Sequence, residues 1–246
     1  MKKLNLLFKT LIIVSIVVII KLVFHYFKIE LISINPLFSG IITANVFLLG
    51  FLLTGVLSDY KESEKLPGEL ASSIEAIKDE VSIIYKAKNS ENAKKCLEDL
   101  KILTISIKDW FHKKEKISEI QIELSNFNNY FLEFEKETQA NFITRMKQEQ
   151  NNIRKSLTRI HTIRDTNFIS SGYLIAKTTT FALVFGLILS KIEPFYESLF
   201  FMGVIVFMLV FMLNLIKDLD NPFSYYEKDA VEEVSLYPLN NLIDRW

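Results

Sequence analysis

The chain has 246 residues, 50% of them hydrophobic and 24% charged, so its apolar and charged residues must be segregated, as in a membrane protein with a water-exposed part. Lys+Arg and Asp+Glu are each 29, so net charge argues for neither a nucleic acid nor an acidic partner. Cys96 is the one cysteine, which excludes an intrachain disulfide and a cysteine-based metal site within one chain.

A bilayer core needs roughly 20 apolar residues in a helix. Taken in chain order, Phe8 to Phe27 is the first such run, interrupted by Lys9 and Lys21. It is too long for a secretory leader, and no Ala-x-Ala-like site follows it, so it reads as retained. Leu37 to Leu57 is free of charge, Tyr173 to Ser190 contains Lys177, and Ser198 to Ile216 is again free of charge. The three lysines are expected to reach the headgroups from helix ends. Asn45 is polar at membrane depth and should face protein or water.

Four spans put both termini and the connector on one side. That side collects Lys2, Lys3, Lys9, Lys61, Lys65, Arg154, Lys155, Arg159, Arg164, Lys177, Lys217 and Lys228, whereas the side of the short loops 28–36 and 191–197 holds Lys28 and Lys191, with Lys21 assignable to either. The basic side is cytoplasmic. The sequence therefore divides into membrane helices 1 and 2 (1–57), a cytoplasmic helical region (58–172), membrane helices 3 and 4 (173–216) and a cytoplasmic C-terminal tail (217–246). With its Lys, Asn and Ile content and no N-linked sequon in the external loops, the chain fits a bacterial inner membrane.

The connector carries helical periodicity throughout. Leu66, Leu70, Ile74, Ile77, Val81 and Ile84 form one stripe, and Asn89-Ser90 supply a break and a cap. Leu97, Leu100, Leu103, Ile107 and Trp110 form the second stripe. The third runs from Ile117 through Ile120, Leu124, Phe127 and Phe131 to Phe134, and a weaker fourth comprises Phe142, Met146, Ile153, Leu157 and Ile160. No strand-like alternation interrupts them. The expected fold is all-α: four transmembrane helices with a bundle of three or four cytoplasmic helices inserted between the second and third.

Chemistry is sparse. His25, His112 and His161 are scattered, no Gly-rich phosphate loop is present, and acids such as Glu133, Glu135 and Glu137 fall on solvated faces. Neither an enzyme nor a cofactor is indicated. The second span is different, because Thr43, Phe47 and Phe51 recur every fourth residue on one slowly drifting face, with Gly40, Ala44, Gly50 and Gly55 nearby to permit close helix approach.

Phe47-Leu48-Leu49-Gly50-Phe51, followed by Asp59-Tyr60-Lys61-Glu62 and Leu66-Pro67-Gly68, resembles the second membrane helix of bestrophins. Asp220-Asn221-Pro222-Phe223 and Leu236-Tyr237-Pro238-Leu239-Asn240-Asn241-Leu242 are similar to elements that follow the family's last membrane helix, and Asp165 to Tyr173 is similar to its polar entry into the third. The resemblance implies a homopentameric channel for small inorganic ions, with an anion such as chloride favoured and a cation possible. Phe47 and Phe51 match the two neck phenylalanines, while Thr43 replaces the family's isoleucine and makes that ring wetter. Of the family's calcium clasp only Glu227 and Asp229 stay in register, and Lys228 lies between them. Calcium takes six to eight oxygen ligands, so no metal and no calcium gating are expected. Asp218, Asp220, Glu232 and Glu233 are expected to be solvated or to pair between subunits.

The rival reading is a membrane-anchored signalling or scaffold module whose helical part docks a cytoplasmic partner without conducting.

Overall fold

A computed structural model describes residues 2–33, 35–114, 116–165, 170–225 and 232–246. Among them the helices are α1 (Lys2–Tyr26), α2 (Pro36–Ser63), α3 (Leu66–Lys88), α4 (Glu91–Phe111), α5 (Ile117–Phe134), α6 (Ala140–Asp165), α7 (Ser170–Leu189), α8 (Phe195–Leu219) and α9 (Tyr237–Asp244). They group into two units, one built on α1, most of α2, α7 and α8, the other on α3 to α6 and α9.

In the first unit, four helices are long and apolar enough to cross a bilayer, in the order read from the sequence. This is a membrane protein. Asn35 opens α2, its Oδ1 accepting from the Phe38 amide at 2.9 Å, with Pro36 in the first turn where its missing N–H costs nothing. Leu49, Leu52 and Val56 of α2 pack with Ala176 and Leu183 of α7 and Leu209 and Ile216 of α8. Val17 of α1 joins Leu187, Ile188, Met202 and Val206 in a second cluster. Gly186 allows a close approach there, since a Cβ on it would stand 2.8 Å from the Phe38 ring.

Asn45 is buried, as a polar group at membrane depth should be. Its Nδ2 donates to Thr180 Oγ1 at 2.9 Å, and its Oδ1 accepts from Thr179 Oγ1 at 2.6 Å. This satisfies the amide between α2 and α7 where water is absent.

Two expectations change. The all-α expectation includes no strand, but β1 (Ile32–Ser33) and β2 (Ser190–Lys191) pair in parallel, Ile32 opposite Ser190 and Ser33 opposite Lys191. The loop ends thereby satisfy backbone groups that the helices leave open. Lys21 does not reach outward to headgroups. Its side chain is 1% exposed, its Nζ lies 2.6 Å from Glu30 Oε1, and it donates to the carbonyls of Ile188 (3.2 Å) and Ser190. A buried ammonium is tolerable only with such partners, and the turn after α1 delivers them. Lys9 and Lys177 do lie on the protomer surface.

The second unit is an amphipathic bundle. α3 ends at Asn89 in the left-handed conformation (φ 49°), and Ser90 caps α4, its hydroxyl accepting from the Ala93 amide at 3.2 Å. Leu70, Ile74, Ile77 and Val81 of α3, Leu100, Leu103 and Ile107 of α4, Phe131 and Phe134 of α5, and Met146, Ile153 and Leu157 of α6 form its core. The weak stripe that ran through Phe142 is weak because that ring is only half-buried. Glu80, 5% exposed, is held by Arg145 of α6 at 2.7 Å, and the Arg164 guanidinium lies 4.6 Å over the Trp110 ring. Leu239 and Leu242 of α9 are fully buried in the same unit, and Arg245 pairs with Glu75 of α3 at 3.1 Å.

Candidate functional site

The site residues follow from the period of α2. At 3.6 residues per turn, its inner face carries Asn45, Leu49, Leu52 and Val56, all 3% exposed or less. The opposite face carries Thr43, Phe47 and Phe51, and all three are exposed on the protomer, Phe47 at 77% and Phe51 at 64%. Burial of one stripe turns the other outward. The two rings are one turn apart, and in a bilayer such a face meets lipid, other copies or a pore.

Two residues that the sequence reading leaves aside extend this face. Thr54 follows Phe47 by seven residues and Ser58 follows Phe51 by seven, a spacing that returns to nearly the same side of a helix. Both are exposed. Thr43 Oγ1 donates to Ser39 O at 3.0 Å and Thr54 Oγ1 to Gly50 O at 2.9 Å. Each hydroxyl proton is thus spent on its own helix, which leaves oxygen lone pairs outward. Gly40 and Gly50 have nothing within 4 Å of a would-be Cβ, so the backbone is open to close approach at two levels. The face holds hydroxyls and aromatic rings but no charge from Gly40 to Ser58.

Exposure alone does not single out α2. Phe181 and Phe185 of α7 and Phe200 and Phe201 of α8 are more than half exposed, and Lys177 and Thr178 accompany those on α7.

The end of α2 concentrates charge. Glu62 is fixed by Arg159 of α6, Oε1 receiving Nε at 2.8 Å and Oε2 receiving the second guanidinium nitrogen at 2.7 Å, a two-pronged pair. Lys61, one residue earlier, is exposed. Two residues separate α2 from α3, where Pro67 stands in the first turn and ends the run of the preceding helix.

Glu227, Asp229 and the intervening Lys228 lie outside the described residues. Among the described residues no three His, Cys, Asp or Glu side chains come together as metal ligands. Asp218, expected in solvent or between subunits, instead accepts from the Glu232 backbone amide at 2.9 Å within its own chain.

A further charged cluster was invisible in the sequence. Glu30 receives Lys21 on one oxygen and, on the other, faces His25 Nδ1 at 3.1 Å, while the His25 ring stacks on Phe195 at 3.6 Å. Burial pushes the Glu30 carboxyl up, but the hydrogen bonds and charges of Lys21 and His25 outweigh it and hold Glu30 below the ordinary carboxylate value.

No family model and no curated protein matches the chain. Solved structures do. A variant of a bacterial bestrophin homologue from Klebsiella pneumoniae matches with a TM-score of 0.79 at 16% identity, over 98% of this chain and 97% of that one. A second variant of the same homologue gives 0.76 at 17% identity over 98% of each chain. A structure described as a membrane protein gives 0.76 at 16% identity, over 98% and 96%.

The chain has the bestrophin fold. The likeness runs almost end to end, so the bestrophin fold accounts for the helical unit and α9 as well as for the four apolar helices. In this bestrophin fold α2 carries the Phe47-Leu48-Leu49-Gly50-Phe51 element on which the sequence resemblance rests.

Proposed function

We propose that the protein is the subunit of a bestrophin-like ion channel, a homopentamer whose axis is lined by the exposed face of α2. Thr43, Phe47 and Phe51 form its neck. Chloride or a similar anion is the favoured ion. The channel sits in a bacterial inner membrane with both termini and the helical region in the cytoplasm, the arrangement that the Lys and Arg distribution supports.

The observation that carries this reading is the Thr43, Phe47 and Phe51 face left uncovered in a chain that shares the bestrophin fold over 98% of its length. The α2 face is chosen over that of α7 because the matching sequence element lies on α2. Four helices are too few to enclose a water-filled path, so conduction requires several copies around an axis. Rings of phenylalanine there make a constriction that closes by dewetting. Aromatic ring edges carry partial positive charge, so a small tangential turn of Phe47 and Phe51 presents those edges to an anion.

Ion flux from proteoliposomes tests the proposal. Purified wild-type protein is expected to conduct, and Phe47→Ala with Phe51→Ala to raise the flux by widening the dry segment. Wild-type conductance in the double variant refutes the neck assignment, and a strictly monomeric mass in native conditions refutes the channel.

A further inference from the structure

The uncharged face of α2 ends in a charged run, in which Lys61 stands in line with Thr43. Lys61 lies about five full turns beyond Thr43 at 3.6 residues per turn, and so returns to the same side of the helix. It stands about 15 Å along the axis from Phe51, at 1.5 Å per residue, and about 4.5 Å from Ser58. It is exposed. Of the acids near it in sequence, Glu64 is exposed just past the end of α2, whereas Glu62 is neutralised and Asp59 is turned away. Glu62 is occupied on both oxygens by Arg159. Asp59, two residues back, points about 160° away around the helix. On the side shared by Thr43, Phe47 and Thr54 the first formal charge is therefore positive, while around Phe51 Lys61 and Asp59 stand about 80° to either side.

We infer that Lys61 determines the sign of the permeant ion, as a ring of ammonium groups just beyond the neck. This rests on the reading that α2 lines the pore. In a symmetric assembly every copy places its Lys61 at the same height, so the charges sum at the axis. Such a ring concentrates anions and depletes cations at the mouth of the constriction, as charged rings do in other pores. It lies in a wet part of the path, so its effect depends on ionic strength, with a screening length of about 10 Å at 0.1 M salt and about 3 Å at 1 M.

The test uses the full-length protein in proteoliposomes under a potassium chloride gradient, with the reversal potential converted to a chloride-to-potassium permeability ratio. Wild type and Lys61→Arg are expected to favour chloride equally. Lys61→Gln is expected to lower the ratio, and Lys61→Glu to lower it further, on the order of tenfold in dilute salt. The differences shrink in molar salt. Elution of each variant as the wild-type oligomer controls for folding, and Lys61→Gln, close in length and uncharged, decides the matter if Lys61→Glu does not assemble.

Conducting variants that keep the wild-type ratio in dilute salt overturn the role of Lys61 and leave the channel intact. A cation preference in wild type also overturns it. Absence of any flux from wild type overturns the channel reading itself, and the inference with it.

Discussion

Lys21 Nζ lies 2.6 Å from Glu30 Oε1, and both side chains are almost wholly removed from solvent, at 1% and 7% exposure. The pair joins the end of α1 to the loop that leads into α2, and through the carbonyls of Ile188 and Ser190 it also holds the end of α7. Removing one charge leaves the other buried and unpaired, at a cost of about 3–5 kcal/mol. Lys21→Met or Glu30→Gln alone is therefore expected to lower the thermal midpoint in detergent markedly, while the double variant recovers much of the loss. The pH dependence follows from the same contacts. Glu30 has its carboxyl depressed in the folded state below an ordinary value of 4.5. Its contribution is fully present above that value and is lost as pH falls through the depressed one. Stability measured from pH 6 downward should show an acid limb that is smaller in Glu30→Gln; identical limbs in both proteins refute the assignment.

Cys96 is fully buried in α4, and burial pushes its thiol well above the ordinary range, with Asp99 adding to the rise. The thiolate is the reactive form and is scarce under such conditions. Native protein is expected to resist alkylation by maleimide or iodoacetamide at pH 8 and to label fully in denaturant. Rapid labelling of the native state would place Cys96 at the surface instead.

The parts of this architecture that repeat were legible in the sequence. The stripe from Leu66 to Ile84 declares its helix because a core-facing side must recur every three or four residues, and Asn89-Ser90 announce the break through the one backbone conformation and the one side-chain bond that such a break requires. The same period placed Thr43, Phe47 and Phe51 on one face of α2, but Asn45, which could face protein or water, left open which side is buried. The contacts of Lys21 follow no period. Glu30 lies past the end of the helix, and the Ile188 carbonyl is 167 residues away along the chain, so no local pattern could join them. The short β1–β2 pairing escaped for the same reason, since two residues are too few to alternate. Whether the Phe47 and Phe51 face meets other copies of itself depends on assembly, which a single chain's periodicity does not encode.

Gly186 of α7 lies close against the Phe38 ring of α2. Any side chain at Gly186 must displace the Phe38 ring, because a Cβ alone would stand 2.8 Å from it. Alanine regains helix propensity of about 1 kcal/mol relative to glycine, which offsets part of the strain. Leucine has no such balance. Gly186→Leu is expected to cost roughly 2 kcal/mol through overpacking, and Phe38→Ala in the same chain to return part of it. A double variant no more stable than Gly186→Leu alone would show that the two do not share one space.

The two faces of α2 should separate stability from conduction. Leu49 and Leu52 are buried at 0% and 3%, and truncating either to alanine removes packed atoms from the cluster shared with α7 and α8. Each is expected to cost about 2–5 kcal/mol and to lower the thermal midpoint of the detergent-solubilised protein. Phe47 and Phe51 are exposed on the protomer, so the same truncation removes little intrachain packing, and the fold of each subunit should change by no more than about 0.5 kcal/mol. If they form the proposed neck, their effect is expected on flux, which should rise when the rings are gone. Midpoint and flux measured on the same four preparations resolve the matter. If Phe47→Ala and Phe51→Ala lower the midpoint as Leu49→Ala does and leave flux unaltered, those rings serve packing between helices, and the proposed pore moves to another face, with the Lys177, Thr178 and Phe181 side of α7 as the next to test.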